Sequence, residues 1–207
     1  MTAVESISDL ERATSTIAPQ SLLAARSAVA TDCALYIRWA EALSEKVDSI
    51  KRAADLKKLA KAVALVHLGY LPTRPNTCPF CIQYAGDLAC RGCGYAKTHG
   101  GRCDQDTSAF RLFIGAFQDL GSAIYQDNDL PDIDLKEGKS MLHDYIEKSI
   151  GAARRMPGAL GRGSTLKFME AKALFLKQAA LLLPICLFSK EVREKHHRVL
   201  EMLKDYW

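Results

Sequence analysis

Five of the seven cysteines lie between Cys78 and Cys103, in the string CPFCIQYAGDLACRGCGYAKTHGGRC. Two C-x2-C pairs, Cys78/Cys81 and Cys90/Cys93, are followed by His99 and Cys103. Each pair can grip one ion from a tight turn, and soft sulfur at this density suits zinc or an iron-sulfur cluster. Cys78, Cys81, Cys90, Cys93, His99 and Cys103 are six candidate ligands for a site that needs four. A shell closed by four thiolates leaves no position for water, so such a zinc site is structural. Gly94, just after the second pair, is expected to take the left-handed conformation common beside a knuckle ligand. The alternatives Cys78/Cys81/Cys90/Cys93 and a set that uses Cys103 are both open.

The run Cys90-x2-Cys93-x5-His99-x3-Cys103 resembles the C-x2-C-x4-H-x4-C spacing of retroviral-type zinc knuckles, with the histidine moved by one residue. The resemblance covers 14 residues, and the shift redirects the imidazole, so nucleic-acid binding is not carried over from it. An iron-sulfur cluster is the alternative to zinc, because four cysteines hold it equally well and spacing does not name the metal. A redox dithiol at Cys-Pro-Phe-Cys is disfavoured by the absence of a βαβ pattern and by the thiols just downstream.

Arg74, Arg91, Lys97 and Arg102 surround this segment, with Phe80, Tyr84 and Tyr95 between them. Arg74, Arg91, Tyr95, Lys97 and Arg102 could hold phosphates and stack on bases. The same residues could instead cover a metal site and offset the charge of its thiolates. Elsewhere the signals are negative. Ser164 stands where a phosphate loop places its lysine, and Pro131 and Asp132 break an EF-hand pattern. One E-x2-H pair, Glu194 and His197, is too little for a di-iron bundle. His196 is in register with Val192, Val199 and Leu203, and so borders the core. Cys33 and Cys186 lie in apolar stretches as small core residues. No catalytic constellation emerges, so enzyme activity is not expected.

The elements that must position this segment read as helices. Of 207 residues, 48% are apolar and 25% charged, enough to bury a core; the net charge of +4 is too small to demand a nucleic-acid partner. Apolar residues recur three and four apart, as in Val29, Cys33, Tyr36, Ile37, Ala40, Leu43, Val47 and Ile50. Leu56, Leu59, Val63, Val66 and Tyr70 form a second stripe out of phase with the first. One helix through both would be about 72 Å long, so a break is expected between Asp48 and Ala53. Pro72 and Pro75 end the second helix. A third follows Cys103, carrying Phe110, Phe113, Ile114, Phe117, Leu120 and Ile124 and capped by Asp106 or Thr107. The acidic run from Asp127 to Asp134 is a solvated turn, and Gly158 to Ser164 a loop that caps the next helix. Lys190 to Lys204 is the last helix.

The chain is thus expected to be all-α: one helical domain, residues 1–207, of about six helices, with a zinc-knuckle-like metal-binding insertion at 72–104. Its acidic first residues do not resemble a secretory signal, and its most apolar run, Ala179 to Phe188, is about half a membrane span. A cytoplasmic protein is expected, with no membrane association. Its cofactor is zinc, or alternatively an iron-sulfur cluster. Its role is that of an interaction module for a protein or nucleic-acid partner, or alternatively an electron-transfer or accessory subunit.

Overall fold

Proline, serine and aspartate set the helix starts. In the computed structural model, which describes residues 3–86, 90, 92–98, 101–161 and 163–204, the chain begins with α1 (Ala3–Ser15) and α2 (Pro19–Ser44). Pro19 opens α2, where its missing N–H and fixed φ suit a first helical turn. The chain then turns through residues 45–52 before α3 (Ala53–Tyr70), which is the expected break. Val47 and Ile50 anchor that turn in the core, so apolar burial ends the helix there without glycine or proline.

The cysteine segment holds two short helices, α4 (Pro79–Tyr84) and α5 (Tyr95–Thr98), after a 3-10 turn at Pro75–Thr77. Then follow α6 (Ala109–Gln126), α7 (Leu135–Leu160), α8 (Thr165–Leu181) and α9 (Lys190–Met202). Ser108, Asp134, Ser164 and Ser189 cap these four, each side chain accepting a backbone N–H of the first turn. The cap of α6 is Ser108, not Asp106 or Thr107: its hydroxyl accepts from Arg111 N at 3.1 Å. α7 runs through Pro157 and Gly158, so the loop before α8 is shorter than the glycines suggest.

No strand occurs among the described residues, and no helix there is long and apolar enough to cross a membrane. α2 packs along α7 and α3, and α6 along α9. The long helices meet in one contiguous apolar cluster that includes Val29, Leu56, Leu120, Leu142, Phe168 and Val192. Phe80 of α4 belongs to the same cluster, so the cysteine segment is seated on the bundle rather than hung from it.

Two polar sites inside the bundle were not legible as such. Asp127, read as part of a solvated turn, is buried: its Oδ2 accepts from Lys57 Nζ at 2.6 Å and from Ser189 N at 2.8 Å. Burial pushes its carboxyl up, but Lys57 and the N–H groups of Ser189 and Asp129 outweigh this and hold it below the usual range. The second is a chain in which Tyr36 Oη donates to Ser149 Oγ at 2.5 Å and His67 Nδ1 bonds the Tyr145 hydroxyl. Cys33 is buried and His196 is packed inside, its Nε2 bonding Ala180 O at 2.8 Å. Cys186 is exposed, against expectation, because Pro184 stops the apolar run and a 3-10 turn rotates the thiol outward.

Candidate metal centre

Cys78 caps α4 and Cys81 lies in its first turn, so the two thiols share one face of the helix start. The backbone N–H groups of Cys81 and Phe80, at the helix start beside Cys78, favour its thiolate. Pro79 fits at the first helical position because no N–H is needed there.

The second pair is made differently. Cys90 has φ +64°, the one left-handed non-glycine residue among those described, and Gly92 has φ +82°. Cys93 N bonds Cys90 O at 3.2 Å and closes this turn. The backbone N–H of Tyr95 favours the Cys93 thiolate. Against the expectation from sequence, Gly94 is not left-handed. It is required because a Cβ there would sit 2.4 Å from the Ala13 Cβ and 2.9 Å from the Ala13 Cα of α1. α1 thus rests directly on the residue after Cys93.

The segment is tied to α1 and α2 by side chains. Gln83 Oε1 accepts from Ala18 N at 2.6 Å, Gln83 Nε2 donates to Thr16 O at 2.9 Å, and Arg74 pairs with the buried Asp32. Tyr84 Oη bonds Thr16 Oγ1 at 3.1 Å.

Cys81 is the thiol most affected by its neighbours, Cys103 and Cys78. Their mutual interaction raises the Cys81 thiol and lowers those of Cys78 and Cys103. Burial opposes both decreases. Cys93 is raised to about 11, chiefly by burial, and Cys90 is raised for the same reason. Cys78, Cys81, Cys93 and Cys103 line one cavity of about 400 Å³, closed by Phe80, Tyr95, Phe110, Phe117, Met169 and Lys172. Cys90 stands beside this cavity, not in its wall.

The donor set fits a thiophilic metal. Zinc at about 2.3 Å from sulfur places its ligand sulfurs roughly 3.8 Å apart, close to thiol-thiol hydrogen-bonding contact. Among the described residues no three Cys, His, Asp or Glu side chains already surround a common point. Of the six candidate ligands, four are brought to one cavity, Cys90 flanks it, and His99 lies outside the described residues.

The basic and aromatic candidates divide as well. Tyr95 is only 5% exposed and Phe80 1%, so both cover the cluster and neither offers a face to a base. Arg74 is held by Asp32, and Arg102 pairs with Asp104 at 3.2 Å. Arg91 and the side chain of Lys97 lie outside the described residues. The charged residue at the cluster that sequence reading missed is Lys172, far along the chain in α8. Comparison of the chain with protein-family models, curated proteins and solved structures finds no significant match.

Proposed function

We propose that residues 72–104 hold a structural zinc ion through Cys78, Cys81, Cys93 and Cys103, and that the protein is an interaction module whose docking surface this staple stiffens. The observation that carries the reading is the common cavity wall of Cys78, Cys81, Cys93 and Cys103, which brings the far end of the segment back onto α4. A metal bound there supplies folding energy rather than catalysis. The reading requires a reducing compartment such as the cytosol, and all seven cysteines are free thiols. The burial of Tyr95 and Phe80 favours a protein partner over a single-stranded nucleic acid, which would stack on exposed rings.

One observation favours a second reading. The cavity of about 400 Å³ has room for more than a single ion, and its walls are largely apolar, as an iron-sulfur cluster requires. Protein purified without air separates the two. Zinc is expected as a colourless protein with about one zinc per chain; brown protein with iron and acid-labile sulfide overturns it.

A further inference from the structure

Lys172 occupies a core position of α8, on the face it shares with Phe168, Met169, Phe175 and Leu176, and is 2% exposed. An ammonium removed from water is strongly destabilising unless an opposite charge and hydrogen bonds compensate it. The same protein shows how that is done with a carboxylate: Lys57, 4% exposed, lies 2.6 Å from Asp127. Lys172 has no such partner among the described residues. Its Nζ donates to Thr77 O at 3.0 Å and lies 3.5 Å from Thr77 Oγ1, a hydroxyl that itself donates to Arg74 O. Burial lowers the pKa of the Lys172 ammonium, and the groups that oppose this are Cys78 and Cys81, with which Lys172 shares the cavity wall.

We propose that Lys172 is the fixed counter-cation of the thiol cluster, a positioning residue that takes at Cys78 and Cys81 the place Asp127 gives Lys57, with the signs exchanged. The inference rests on the metal reading above. Four thiols that bind zinc release four protons to solvent and leave a complex of net charge −2. One ammonium in the same apolar cavity offsets part of that charge and draws the equilibrium towards the metal-bound form. In the metal-free protein less of that compensation is present, and burial opposes the ammonium. Lys172 therefore acts with opposite sign on the two forms: it stabilises the metal-bound protein and destabilises the metal-free one.

The test uses the full chain with Lys172→Met, which removes the charge, and Lys172→Gln, which keeps a donor for Thr77 O. Zinc affinity is read by chelator competition at fixed pH and ionic strength, and the stability of the metal-free form by urea unfolding. Both variants are expected to hold zinc about tenfold more weakly or worse. Metal-free Lys172→Met is expected to unfold at a higher urea concentration than metal-free wild type. Wild-type affinity in both variants overturns the proposal. Wild-type affinity in Lys172→Gln alone also overturns it, since the hydrogen bond to Thr77 would then be the whole role. If Lys172→Met does not fold, Lys172→Gln decides on affinity. A wild type that binds no zinc sinks the metal reading and this inference together, whereas a wild type that binds and variants that bind equally sink only this inference.

Discussion

Cys81 and Cys103, 22 positions apart in the chain, line the wall of one cavity together with Cys78 and Cys93. Cys90, paired with Cys93 in the sequence, stands outside the cavity these thiols line. Cys103→Ser is therefore expected to lower zinc affinity by orders of magnitude, whereas Cys90→Ser lowers it by about tenfold at most. Chelator competition on the two variants checks the order. Equal losses, or the larger loss in Cys90→Ser, would return Cys90 to the ligand set.

The approach of α1 to the segment predicts a packing defect. Gly94→Ala places a methyl group 2.4 Å from the Ala13 Cβ and 2.9 Å from its Cα, and backbone cannot yield as a flexible side chain can. A loss of about 1–3 kcal/mol is expected, with early proteolysis near α1. Urea unfolding and limited proteolysis measure both, and wild-type behaviour in both would contradict the contact.

How much of this was legible follows from which signals are local. The helices, the break after α2 and the cap at Ser164 arise from apolar periodicity and short-range hydrogen bonds, which a sequence displays. The choice among ligands depends on how Cys103 folds back, which spacing does not encode. Lys172 left a signal that went unread: it is in phase with Phe168, Met169, Phe175 and Leu176, and a lysine inside an apolar stripe needs a partner. Asp127 was hidden in an acidic run whose other acidic members, Asp129, Asp132 and Asp134, do face solvent. Gly94 was assigned a backbone role when its cause is a neighbouring helix remote in sequence.

The Lys57–Asp127 pair makes an asymmetric prediction. Asp127→Asn leaves a buried ammonium without its charge partner and is expected to cost about 3–5 kcal/mol. The double variant Lys57→Met/Asp127→Leu removes both charges and should recover most of that loss. A urea series on the variants provides the comparison. A double variant as unstable as Asp127→Asn would show that the hydrogen bonds to Ser189 and Leu187, not the charges, matter.

His67 makes the fold sensitive to acid. Burial lowers its pKa from 6.5 to about 3. Between these values the unfolded chain binds a proton that the folded chain refuses, so stability is complete above about pH 6.5 and declines as the pH falls towards 3. The slope from this one group is about 1.4 kcal/mol per pH unit. His67→Gln is expected to be less stable at pH 7, through the lost contact with Tyr145, and to show a shallower decline below pH 6. Parallel stability-pH curves for the two proteins would exclude His67 as the source.

The mass of the intact chain under non-denaturing conditions tests the central claim most directly, because it counts metal and protons together. The wild type is expected to exceed its 22.8 kDa chain mass by one zinc less the protons its thiols release, and Cys81→Ser to appear as bare chain. A wild type at bare-chain mass, or a Cys81→Ser variant that keeps its zinc, would contradict the account.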